Sequence, residues 1–134
     1  MVAVRFHGDF PYLKQTQDWY EYYHKVRISE VMLPTTGIAV VTDDFANPYA
    51  IAYLFLTANS NICWLGFTAR NPYLERESVR PALVLLLTAA EAYARELGYT
   101  VMYSGYDHPH LQELVKEFGY QRGSAVVEFF KELV

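Results

Sequence analysis

Apolar and polar residues alternate from Val2 to Phe6, the two-residue period of a strand with one buried face, and Gly8 and Pro11 end the run. From Gln15 to Arg27 the period lengthens. Trp19, Tyr22, Tyr23 and Val26 fall at i, i+3, i+4 and i+7, which predicts a helix with that stripe against the core and Tyr20 and His24 off it. Three short apolar runs follow, Gly37–Thr42, Tyr49–Thr57 and Ile62–Ala69, parted by the turn-forming segments DDFANP and ANSN. Connections this short predict an antiparallel meander.

The pattern then changes at Asn71-Pro72, and Ser78 opens a long helical segment closed by Gly98. With Ser78 as N-cap, Pro81 falls in the first turn, where a missing N–H costs no helical bond. Leu83, Leu86, Leu87, Ala90, Ala94 and Leu97 line one face, as expected of a helix packed on a sheet. Tyr99–Ser104 reads as a buried strand. After it, His110–Phe118 has helical spacing at Leu111, Leu114, Val115 and Phe118 and stops at Gly119, and a last strand is expected over Ser124–Lys131. The order is that of an α+β (α/β) fold with one parallel crossover through the long helix.

Composition narrows the classes. A chain of 134 residues with 52% hydrophobic and 19% charged residues reads as one packed domain over 1–134. A formal charge of −4 with no lysine or arginine cluster argues against nucleic acid as a partner. The longest apolar stretch, Pro81–Ala90, falls short of the ~20 residues that span a bilayer, and the first residues lack a basic segment followed by an apolar one. No membrane association and a cytoplasmic location are therefore expected. The single Cys63 lies in an apolar run and is read as core. Twelve tyrosines are unusual for this length. Aromatic surfaces often contact partners, although a solvated tyrosine face is the commoner reading.

Candidate chemistry is sparse. Asp107-His108-Pro109-His110 follows a strand at the end where α/β sites usually open, so Tyr106 or His108 is a candidate acid or base. The competing reading is a turn with Asp107 as helix cap. Two histidines without a third ligand nearby predict no metal site, and Asp43-Asp44 reads as a turn. The sequence contains no Gly-x-Ser-x-Gly elbow, Walker loop or dinucleotide glycine pattern, so hydrolase, kinase and dehydrogenase readings lose support.

Three words, NPYLERESVRPALV, AYARELGY and LVKEFGY, occur in an order and spacing that resemble the Gcn5-related N-acetyltransferase (GNAT) family over most of residues 36–131. The resemblance implies a GNAT-like acyltransferase domain, with a mostly antiparallel central sheet splayed in the middle and about four helices. It implies acetyl-CoA as cosubstrate, its pantetheine arm against the backbone of Phe67, Thr68 and Ala69 and its pyrophosphate at Arg76, Ser78, Val79 and Arg80. The acceptor would be an amine on a small molecule or a protein, and a homo-oligomer or larger assembly is compatible with it. The chain departs from the family's Gln/Arg-x-x-Gly-x-Gly/Ala loop, which falls on Glu75 to Arg80. It also has no acid in ICWLGFTA, and Val115 stands where the family often has a tyrosine. Two expectations follow: an acetyltransferase, or a catalytically inactive protein of the same fold, such as a phage virion component.

Overall fold

The computed structural model describes residues 1–127, 129, 131 and 133. Among the described residues, five strands form one sheet in the order β1 (Val2–His7), β2 (Thr36–Val41), β3 (Pro48–Leu56), β4 (Ile62–Arg70) and β5 (Val101–Ser104). The first four are antiparallel neighbours, as short turns dictate, whereas β5 lies parallel to β4 because α2 (Arg76–Glu96) carries the chain back across the sheet. Residues 36–41 are buried on both faces, so β2 is the centre of the core. Gly37 is required there, because a Cβ would overlap the Ala52 carbonyl oxygen and the Phe6 ring.

Two apolar layers result. On one face Ile38, Val40, Leu54 and Leu65 pack against Leu83, Leu86, Leu87 and Ala90 of α2 and Leu114 of α3 (Pro109–Glu117). On the other, Ala39, Val41, Ile51 and Tyr53 pack against Phe6, Ile28, Leu33 and Trp19 of α1 (Leu13–His24). Both α2 and α3 end alike. Gly98 (φ 93°) and Gly119 (φ 87°) adopt the left-handed conformation, and Tyr99 and Tyr120 donate N–H bonds back to the carbonyls of Ala94 and Val115. Glycine allows that turn without a Cβ penalty.

Several expectations are corrected. In α1 the buried residues are Thr16 and Trp19, with Tyr20 packed beside them, while Tyr22, Tyr23 and Val26 are exposed. The Thr16 hydroxyl bonds the Tyr12 carbonyl (2.9 Å) and the Tyr53 hydroxyl (2.7 Å), which turns that face inward, and Lys25 in the left-handed conformation ends the helix before Val26. The long helix begins earlier than Ser78: Glu75 holds the N-cap position. Pro81 thus lies beyond the first turn, and its missing N–H leaves the Glu77 carbonyl without its helical partner. Leu97, assigned to the buried face, is exposed.

The strand expected over Tyr99–Ser104 is shorter and is not buried, since Val101 and Tyr103 face outward at the sheet edge. Residues 124–127, 129 and 131 form no strand, and the expected positions 128 and 130 lie outside the described residues. Three α-helices and one short 3-10 turn, Glu30–Met32, are described in place of about four helices.

Candidate active site where two strands part

Strands β4 and β5 are register partners only from Ile62↔Val101 to Leu65↔Ser104. Beyond Leu65, β4 runs on to Arg70 with β3 on one side and, among the described residues, no strand on the other. An edge without a strand neighbour can offer its peptide groups to a ligand. At the parting, β4 also bulges. Tyr53 pairs with Gly66 and Ile51 with Ala69, so Phe67 and Thr68 oppose the single residue Ala52, and Phe67 has φ 49°. A bulky residue in the left-handed region is strained, and strain of this kind gathers where a strand is re-aimed at a site.

Three hydroxyls gather at the gap. Tyr106, just past the end of β5, has its OH beside Ser104 and Thr68. The Tyr106 OH and Thr68 Oγ1 are both buried, and close as they lie to each other and to Ser104, neither makes a hydrogen bond of good geometry among the described residues. Buried polar atoms are normally satisfied with good geometry, so hydroxyls left with poor mutual geometry beside the gap retain capacity to bond a ligand. Burial pushes the Tyr106 phenol above its ordinary value, with Ser104 and Thr68 partly offsetting it. Nearby, the Tyr120 hydroxyl approaches Met102 Sδ at 3.2 Å, and burial, reinforced by Glu91, pushes that phenol up as well.

Tyr53 is raised too, chiefly by burial. The sign follows from linkage. An unfolded chain loses these phenolic protons near the ordinary value of about 10, before the folded chain does. Stability is therefore expected to be flat with respect to these groups below about pH 10 and to fall as the pH rises through the raised folded values. Urea unfolding midpoints between pH 8 and 11 check this, and an unchanged midpoint at pH 11 would contradict it.

The sequence matches no protein-family model and no curated protein. Solved structures do match. A probable acetyltransferase superposes with TM-score 0.70 at 15% identity, covering 100% of this chain and 99% of that one. An aminoglycoside acetyltransferase, meta-AAC0020 from an uncultured soil metagenomic sample, gives 0.67 at 15% identity, with 98% and 95% covered. The aminoglycoside N-acetyltransferase AAC(6′)-Iy in complex with CoA gives 0.62 at 12% identity, with 98% and 99% covered. The chain has the N-acetyltransferase fold.

Within the acetyltransferase fold, Phe67, Thr68 and Ala69 lie at the bulge on the open side of β4, with Ala69 turned into the core. Arg76, Ser78, Val79 and Arg80 occupy the first turns of α2, which starts soon after β4 ends. Their side chains are not alike in availability. Arg80 is paired with Glu117 of α3, while Arg76 is exposed and makes no ion pair among the described residues. The expected cap Asp107 is corrected: His108 caps α3, its Nδ1 accepting from the His110 N–H at 3.2 Å. His108 is exposed, and its ring is engaged in that cap.

Two features of the site had no reading in the sequence. Ser104 is brought to the gap by the strand end, and Asp107 Oδ2 stands 3.8 Å from His24 Nδ1, linking the loop after β5 to α1. Among the described residues no group of three or more His, Cys, Asp and Glu could hold a metal ion, and no helix is long and apolar enough to cross a membrane.

Proposed function

We propose that the chain transfers an acetyl group from acetyl-CoA to a primary amine. The observation that carries the reading is the edge of β4 beside its bulge, which has no strand neighbour among the described residues, with the buried Thr68 and Tyr106 hydroxyls in the same gap. Superposable enzymes solved with CoA and with a CoA bisubstrate analogue support the choice of cosubstrate. Acetyl-CoA supplies an activated acyl thioester. Peptide groups along residues 66–70 would hold its extended amide arm as an added strand, and the N-terminus of α2 with Arg76 and Ser78 would receive its phosphates.

The amine nitrogen attacks the acyl carbon, the carbon–sulfur bond breaks, and the nitrogen's surplus proton passes to solvent. Tyr106, kept protonated by burial, donates its proton to the departing thiolate and recovers one from solvent. Holding the two reactants in line supplies the larger share of the acceleration.

Glu75, Glu77 and the Arg80–Glu117 pair favour a second reading, an inactive protein that keeps the fold, because they set negative charge beside the phosphate position and engage one of its arginines. Calorimetric titration of acetyl-CoA separates the two. The enzyme reading expects saturable binding that an Arg76→Glu variant weakens about tenfold or more. Folded protein that takes up no acetyl-CoA would establish the scaffold reading instead.

A further inference from the structure

We propose that the acceptor is a primary amine bearing an aromatic ring and a single positive charge, its ring seated on Trp64 and Tyr103; the proposal rests on the acetyl-transfer reading of the same gap. Trp64 and Tyr103 are the register pair just before the last one, Leu65↔Ser104, so they border the gap. Their rings stack at 5.0 Å with 26° between planes. Each is 49% exposed, an open aromatic floor.

The walls share that chemistry. Phe67 at the bulge packs edge-on against Tyr20 of α1 at 5.5 Å, and Tyr20 in turn lies 4.1 Å from the His24 ring. His24 and Asp107 stand 3.8 Å apart, which joins the loop after β5 to this aromatic group. A ring stacked on the floor would gain offset or edge-to-face contacts that an aliphatic chain cannot. Its ammonium would find the Asp107 carboxylate.

Charge argues against a polycation. Of Trp64, Tyr103, Phe67, Tyr20, His24 and Asp107, only Asp107 carries a carboxylate. The acids of α1 are engaged elsewhere, Asp18 by Lys14 and Arg27 and Glu21 by Arg27. One carboxylate suits one ammonium. Aromatic rings also attract cations, and this surface already shows it, with Arg70 over the Tyr23 ring at 5.3 Å.

The test uses the full chain with acetyl-CoA and three acceptors, 2-phenylethylamine, n-butylamine and the aminoglycoside sisomicin, with thiol release as the readout. The expected order of kcat/KM is 2-phenylethylamine first. Trp64→Ala is expected to raise its KM about tenfold while changing that of n-butylamine less than about twofold. In parallel, 2-phenylethylamine is titrated into protein without acetyl-CoA and tryptophan emission is followed. Trp19 is buried and Trp64 is not, so quenching that disappears in Trp64→Phe reports this floor.

Acetyl transfer with sisomicin preferred, or with Trp64→Ala acting equally on both monoamines, overturns the acceptor class and leaves acetyl transfer standing. Absence of acetyl-CoA binding overturns the transfer reading and the substrate role together, whatever the emission shows. A change of oligomeric state in Trp64→Ala by gel filtration, with no emission change on adding amine, assigns the floor to a second copy and also overturns the proposal.

Discussion

Replacing Leu86 by alanine is expected to lower the unfolding free energy by about 2–5 kcal/mol, a large share of the 5–15 kcal/mol typical of a domain. Leu86 is completely buried at the middle of α2, in the layer formed with Ile38, Val40, Leu54 and Leu65. Truncation removes apolar area from that layer and leaves a void that cannot close easily. The sheet below is held by antiparallel ladders on both sides of β2 and β3, and the helix above is pinned at its end by Gly98 and Tyr99. Leu97→Ala, near the same helix end but 43% exposed, is the control and is expected to cost under about 0.5 kcal/mol. Urea unfolding of both variants decides it: equal midpoints would mean that the α2 layer is not packed as described.

Tyr106→Phe is expected to lower kcat about a hundredfold while leaving the affinity for acetyl-CoA within about twofold. The substitution keeps the ring and deletes only the buried hydroxyl. Because that hydroxyl makes no hydrogen bond of good geometry, its loss is expected to change the melting temperature little. The pH profile carries a second signature. With its phenol raised above the ordinary value of about 10, Tyr106 is protonated throughout the neutral range, so its loss as a donor appears only as a falling limb at high pH. That limb should vanish in the phenylalanine variant. An unchanged kcat would remove Tyr106 from the chemistry, whereas a lower melting temperature with unchanged kcat would make it a packing residue.

The sequence words AYARELGY and LVKEFGY carried the family resemblance, and the structure explains them as helix stops. Each places glycine at the left-handed residue and tyrosine at the position whose N–H closes the turn. Their tyrosine hydroxyls then tie the helix ends to the sheet, Tyr99 to the Thr57 carbonyl at 2.6 Å and Tyr120 to Met102. Such local chemistry is legible from neighbours in sequence. The meander and the buried face of α2 were legible for the same reason, because period and turn residues are local signals.

What escaped depends on partners distant in the chain. Two adjacent stripes of α1 satisfy helical spacing equally, and only Tyr53, meeting Thr16, selects between them. The apolar run Tyr99–Ser104 looks buried until β5 is known to be an edge. At the site, Tyr106 and Thr68 could be named from sequence, but that their buried hydroxyls meet beside Ser104 depends on strands that part after Leu65. Asp107 was misplaced as the cap because a histidine ring can serve as one when its Nδ1 meets the N–H two residues on, a role expected of aspartate.

The parallel crossover has a consequence for the order in which the sheet is made. Strands β2, β3 and β4 follow one another through short turns, whereas β5 reaches β4 only after residues 71–100 have been closed into a loop containing α2. Chain entropy must be spent on that closure before the pairing returns anything, so the β4–β5 seam is the late-forming part of the sheet. Only four register pairs hold it. A ligand lying along the seam binds the closed form alone, and acetyl-CoA would thus serve the protein as a clasp on its least cooperative joint before any acyl group moves.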